Sequence, residues 1–144
     1  MKLMDLAGKK AEGCNLINTE LCDNMQEIKL MITLKVFDDL KSFSRIEKKL
    51  IEKAISAKEN AYARYSNFKV GSAVLLENGR IITGSNQENA VFPLGLCAER
   101  VALSSASNAH PQIPVIALAL STQKKLKKGE MPVFPCGICR QALA

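Results

Sequence analysis

Between residues 46 and 61, apolar side chains fall at Ile46, Leu50, Ile51, Ala54, Ile55, Ala57 and Ala61, intervals that draw one stripe along a helix. The lysines and glutamates between them form its wet side. Ser44, or Ser42 before it, stands where an N-cap is needed, and Glu47 follows Ser44 at the interval of a capping box. From 68 to 76 the period shortens to two, the mark of a strand, and Glu77-Asn78-Gly79-Arg80 supplies the Asn-Gly pair favoured in hairpins. A second strand over 80–84 then pairs antiparallel to the first. A helix from 97 to about 108 follows, stopped by a polar stretch and Pro111. Residues 115–120 are an unbroken apolar run of strand length, suited to a central strand covered on both faces. A last helix opens at Cys136 and has barely begun when the chain stops at Ala144. Helix, antiparallel pair, then helix, strand and helix make an α/β fold, a three-layer α/β/α sandwich with the last two helices side by side under one sheet.

The start of the chain has another texture. Residues 1–24 carry Gly8, Gly13, Asn15, Asn18 and Asn24 with little periodicity, and read as a poorly ordered N-terminal extension. The domain proper spans 25–144, beginning with a partly alternating, strand-like run at 28–37. At 144 residues the chain has the size of one domain and buries enough surface to need no disulfide framework.

Charge raises one question and composition answers it. The net charge of +6 invites a nucleic-acid reading, but much of the excess is Lys124, Lys125, Lys127 and Lys128 in one stretch. No aromatics interleave with them to stack bases, and the chain has no Trp and only two Tyr, so the stretch reads as a solvated loop. Neither a nucleic-acid nor a membrane partner is expected, since no apolar run approaches a membrane span and the N-terminus lacks the continuous core of a signal peptide. Cytoplasm is the expected compartment. Five cysteines agree with a reducing one, with Cys14 and Cys22 as free thiols.

The chemistry concentrates in Cys97-Ala98-Glu99-Arg100 and Pro135-Cys136-Gly137-Ile138-Cys139-Arg140. Cys136 and Cys139 are spaced to grip one ion from a single turn, and Cys97 offers a third thiolate. The only His, His110, precedes Pro111 and is a poor candidate for a fourth ligand. Three protein ligands leave one corner of a zinc tetrahedron open for water, as in catalytic sites, and such a water ionises near neutrality. Glu99, two residues past Cys97, is then placed to carry its proton as acid and base. If Cys97 and Cys136 each open a helix, the unpaired N–H groups there stabilise thiolate charge, and Pro135 suits a helix start. Arg100 and Arg140, each next to a ligand, would offset the surplus negative charge through hydrogen bonds. C-x-E followed by P-C-x-x-C is the signature of zinc deaminases that act on bases.

From about residue 61 to its end the chain resembles cytidine deaminases of the small, three-cysteine, homotetrameric kind. Besides the two zinc motifs, Tyr65-Ser66-Asn67-Phe68-Lys69-Val70-Gly71 and Asn86-Gln87-Glu88-Asn89-Ala90 match that family in order. The resemblance implies zinc on Cys97, Cys136 and Cys139, with Glu99 catalytic. It implies a ribose held by Asn86 and Glu88, a pyrimidine against Phe68 and oriented by the backbone at Ala98, and Ala90 and Phe92 reaching a neighbouring subunit. The implied activity is hydrolytic deamination of cytidine, deoxycytidine or both, in pyrimidine salvage. Two departures are visible. Arg64 stands where the family carries proline, and the elements that follow the second zinc helix are missing, which puts a dimer beside the tetramer. A catalytically inactive remnant or subunit, and a deaminase of another cytosine-containing substrate, remain as alternatives. Against nucleic acid as that substrate, Glu88 beside a phosphate would repel it.

Overall fold

The structure, a computed structural model, describes residues 35–123 and 133–144. The extension at 1–24, Cys14, Cys22, most of the run at 28–37 and the lysine-rich stretch lie outside the described residues; Lys35, Val36 and Phe37 take no regular structure. The chain divides into two units, Met1–Phe37 and Asp38–Ala144, and the second carries every element below. Among the described residues no helix is long and apolar enough to cross a membrane.

The first helix, α1 (Arg45–Ala57), starts where its capping box lies. Ser44 is the cap: its N–H donates to the Glu47 carboxylate at 2.7 Å, and the Glu47 N–H donates back to Ser44 Oγ at 3.4 Å. Leu50, Ala54 and Ala57 form its buried stripe. The helix stops there, and a 3-10 turn over Lys58–Asn60 leaves Ala61 outside it.

Strands β1 (Val70–Leu76) and β2 (Ile81–Ser85) form the expected hairpin, and β3 (Val115–Thr122) pairs antiparallel on the other edge of β1, giving the order β2-β1-β3. The period of two along β1 divides the core. Ala73 and Leu75 pack with Leu50 and Ala54 of α1 on one face. On the other face Val74 and Leu76 pack with Ala102 and Ala106 of α2 (Ala98–Ala109). Helix α3 (Gly137–Leu143) lies beside α2. These layers are the α/β/α sandwich anticipated from the order of elements.

One expectation is corrected. Among the described residues the central strand is β1, not the apolar run at 115–120. From Gly71 on every residue of β1 is buried, whereas Val115 and Ile116 at the start of β3 are 37% and 59% exposed. An unbroken apolar run says that both faces of a strand are greasy; it does not say which strand is hydrogen-bonded along both edges. The small residues of the hairpin let the helices come close instead. A methyl group at Gly71 would collide with the main chain of Ala54 and Lys58, and one at Gly84 with that of Ala98 and Ala102. Both helices thus lie against strand backbone, and α2 is brought down with its first turn over the end of β2.

Candidate active site

Two helices begin on cysteines. Cys97 is the N-cap of α2 and Cys136 the N-cap of α3, each with extended backbone, and Cys139 lies fully buried in the first turn of α3. Pro135 precedes the cap and Gly137 takes the first helical position, so the proline stands two positions ahead of the place that a helix start would give it. The Sγ atoms of Cys97 and Cys136 are 3.9 Å apart, those of Cys136 and Cys139 3.4 Å, and all three lie within 4.8 Å of one another. Sulfurs on a tetrahedral zinc with bonds of about 2.3 Å sit about 3.8 Å apart. The three thiols therefore fit three corners of one ion. His110 is elsewhere, capping the far end of α2 with Nε2 3.5 Å from an Arg80 guanidinium nitrogen.

The surroundings sort the thiols. Hydrogen bonds from the backbone N–H and thiol of Cys139, helped by the N–H of Ile138, hold Cys136 below the usual thiol range. Burial pushes Cys97 and Cys139 upward, and the negative charge of Glu99 adds to both. A cation at the centre reverses that preference, because thiols that coordinate a metal are deprotonated. Glu99 is buried in the first turn of α2. Its charge is felt at two of the three thiols.

Glu99, Cys97 and Cys136 border a cavity of about 870 Å³, open on one side. Ala98, fully buried, and Arg100 also border it. Arg140 is exposed and does not. Ala90 and Phe92 stand at the rim, Phe92 being 90% exposed in a 3-10 turn over Phe92–Leu94.

Asn86 and Glu88 border the same cavity, but both side chains already carry bonds. Asn86 braces the start of β1: its Oδ1 accepts from the Val70 N–H at 2.8 Å and its Nδ2 donates to the Phe68 carbonyl at 3.0 Å. Glu88 accepts from the N–H groups of Tyr65 and Ser66 at 2.8 and 3.2 Å, and from the Ser66 hydroxyl. These bonds hold its carboxyl below the ordinary carboxylate range, the Ser66 hydroxyl contributing most. Phe68 is half-buried and is not among the residues that border the cavity. Arg64 lies over the Tyr65 ring, 6.0 Å from its centre; exposed cation–ring contacts of this kind contribute about 0.5 kcal/mol.

Sequence reasoning missed two features here. Ser66 was visible in its motif but not as the partner of Glu88, 22 residues away. Gln87 exchanges both backbone hydrogen bonds with Leu96, at 2.9 and 2.8 Å, and the flanking Tyr62 N–H to Asn86 O and Glu88 N–H to Tyr62 O bonds tie in a third segment. No local signal announces such stitching.

Comparison with known proteins agrees with this chemistry. The family model described as the cytidine and deoxycytidylate deaminase zinc-binding region matches residues 44–144. The chain is 45% identical to the cytidine deaminase of Halalkalibacterium halodurans over 96 residues, 66% of this chain and 67% of that protein. It is 41% identical to the cytidine deaminase of Sporosarcina psychrophila over 97 residues, 67% of this chain and 66% of that one. Among solved structures, the cytidine deaminase of Burkholderia pseudomallei superposes with a TM-score of 0.60 at 44% identity, over 67% of this chain and 72% of that chain. That of Mycobacterium leprae gives 0.58 at 39%, over 67% and 76%. The chain thus spans about two thirds of the length of the curated relatives it matches.

Proposed function

Because the chain belongs to the cytidine and deoxycytidylate deaminase zinc-binding family, we propose that it converts cytidine, deoxycytidine or both to the corresponding uridine and ammonia. The observation that carries this reading is a buried carboxylate, Glu99, sharing one cavity with a three-thiol corner sized for zinc. Cys97, Cys136 and Cys139 hold the ion, and zinc so held supplies a water that ionises near neutral pH.

Glu99 takes a proton from the attacking water as its oxygen bonds to C4 of the pyrimidine, and delivers that proton to N3. C4 is then tetrahedral, bearing a hydroxyl and the amine. Glu99 moves the hydroxyl proton to the amine, the C–N bond breaks, and ammonia leaves as the C4 carbonyl forms. Burial suits Glu99 to this shuttle, since bulk water is kept from competing for the proton. The backbone at Ala98 orients the base, Glu88 and Asn86 receive the ribose, and Phe68, which does not border the cavity, supports that wall through its carbonyl on Asn86. The acidic side chains at the wall favour a free sugar over a phosphate. Arg100, at the cavity, balances the thiolates, and Arg140 is assigned the same task from further out.

Reduced thiols suit the cytoplasm, and the place of the reaction is pyrimidine salvage. A homo-oligomer, tetramer or dimer, would cover Ala90 and Phe92, whose exposure supports such a surface. The test is the ultraviolet absorbance change on mixing cytidine with the purified zinc-loaded chain, with Glu99→Gln as control. Turnover that the control lacks is expected; a folded, zinc-bound chain with no turnover overturns the reading.

A further inference from the structure

Glu88 has about four acceptor positions as a carboxylate, and three are taken by the loop that precedes β1: the N–H groups of Tyr65 and Ser66 on Oε2 and the Ser66 hydroxyl on Oε1. A hydroxyl has one proton to give, and that of Ser66 goes to Glu88. Its oxygen is then free to accept, and it takes the Phe68 N–H at 3.0 Å. The Phe68 carbonyl is held by Asn86. Phe68 therefore has both main-chain polar groups on side chains, one of them shared with Glu88. A bond from Ser Oγ to an N–H two residues on is an ordinary turn. The second bond, across 22 residues to a carboxylate at a cavity wall, is not required by any turn. The loop is tight as well: Asn67 has φ of 54°, and its N–H donates to the Ala63 carbonyl at 2.9 Å.

We infer that Ser66 is a positioning residue for nucleoside recognition: its hydroxyl fixes the Glu88 carboxylate so that the remaining acceptor position on Oε1 meets a sugar hydroxyl, and it couples that carboxylate to the main chain of Phe68. This rests on the deaminase reading above. Charge-assisted bonds are directional and stronger than neutral ones, so losing the hydroxyl both frees one carboxylate oxygen to turn and leaves the Phe68 N–H unpartnered. The proton of Glu99 and the metal corner are untouched. Binding should suffer more than the chemical step.

The experiment measures kcat and KM for cytidine in the wild type, Ser66→Ala, Ser66→Thr, Glu88→Gln and the Ser66→Ala/Glu88→Gln double variant, with thermal midpoints and zinc content recorded for each. Ser66→Ala should raise KM about tenfold while kcat stays within about threefold, Ser66→Thr should restore KM, and in the Glu88→Gln background Ser66→Ala should add less than about twofold. An unchanged KM in a folded Ser66→Ala chain, no rescue by Ser66→Thr, or an equal penalty in both backgrounds overturns the inference. A zinc-bound wild type without turnover refutes the deaminase reading instead. Amide hydrogen exchange at Phe68 then judges the loop alone: about tenfold faster exchange in Ser66→Ala supports the hold of its hydroxyl, and unchanged exchange removes it.

Discussion

The sulfur atoms of Cys97 and Cys136 lie 3.9 Å apart although 39 residues separate them, because each residue caps a helix and the two helix starts meet. The Cys97 side chain makes no capping bond to its own helix, and that of Cys136 is held at the first turn of α3 by Cys139. The thiols are turned toward each other and toward Cys139, so the ends of two helices serve one corner.

That corner should be indivisible. Cys136→Ser or Cys139→Ser is expected to reduce bound zinc from about one ion per chain to near zero, and a chelator should do the same to the wild type with activity returning when zinc is restored. Metal analysis after gel filtration decides it. A chain that keeps its full zinc with only two of these thiols would show that another ligand holds the ion.

Glu99→Gln preserves shape and removes the proton carrier. Zinc content should stay at the wild-type level while kcat for cytidine falls about 10³-fold. Pre-steady-state and steady-state absorbance on the same zinc-loaded preparation give the comparison, and a loss below tenfold would assign the proton to another group.

At Gly84 there is no room for a side chain. A methyl group there strikes the main chain of Ala98 and Ala102, and backbone cannot swing aside as the end of a flexible side chain can. Gly84→Ala is expected to lower stability by about 2 kcal/mol, read as a shift in the urea midpoint. Because α2 carries Cys97 and Glu99, activity should fall along with stability.

Ser72 gives the opposite sign. Its hydroxyl is fully buried on the α2 face of β1 and has no hydrogen-bond partner among the described residues. Ser72→Ala removes an unpaired polar group while keeping the small volume, and should stabilise the chain by about 1 kcal/mol. A lower urea midpoint for the variant would mean that the hydroxyl does have a partner.

Acid should loosen the loop at 65–68. The carboxyl of Glu88 is held below its ordinary value by the Ser66 hydroxyl and then the Tyr65 N–H. A lowered carboxylate stabilises the fold above the unfolded pKa, about 4.3, and that contribution is lost as pH falls through the lower folded value. Urea midpoints followed from pH 6 to about pH 3 should therefore drop less steeply in Glu88→Gln than in the wild type. Equal slopes would remove Glu88 from the acid response.

What could be read directly from the chain was whatever is set by neighbours. The Ser44 cap, the Leu50, Ala54 and Ala57 part of the stripe on α1, the Asn-Gly hairpin and the helix starts at Cys97 and Cys136 depend on a few adjacent residues and stand where their spacing put them, whereas Ile46 and Ile55 of the same stripe are exposed. The chemistry of C-x-E and P-C-x-x-C was legible for the same reason, since one helical turn places two ligands, or a ligand and an acid, on one side.

The tertiary structure alone decided the rest. Hydropathy could not tell that β1 and not β3 is paired on both edges among the described residues, because apolar character reports burial of faces and not hydrogen bonding of edges. Nor could it tell that Asn86 braces Phe68 and Val70, or that Ser66 and not solvent meets Glu88. Those partners lie 16 to 22 residues apart, and a polar side chain carries no mark of which distant donor will reach it. By itself, the sequence determined that three thiols and a carboxylate are present at spacings that zinc and proton transfer need. Their assembly around one point was decided by the packing of α3 beside α2, which brings two helix ends together, and by Gly84, which lets α2 lie close on β2.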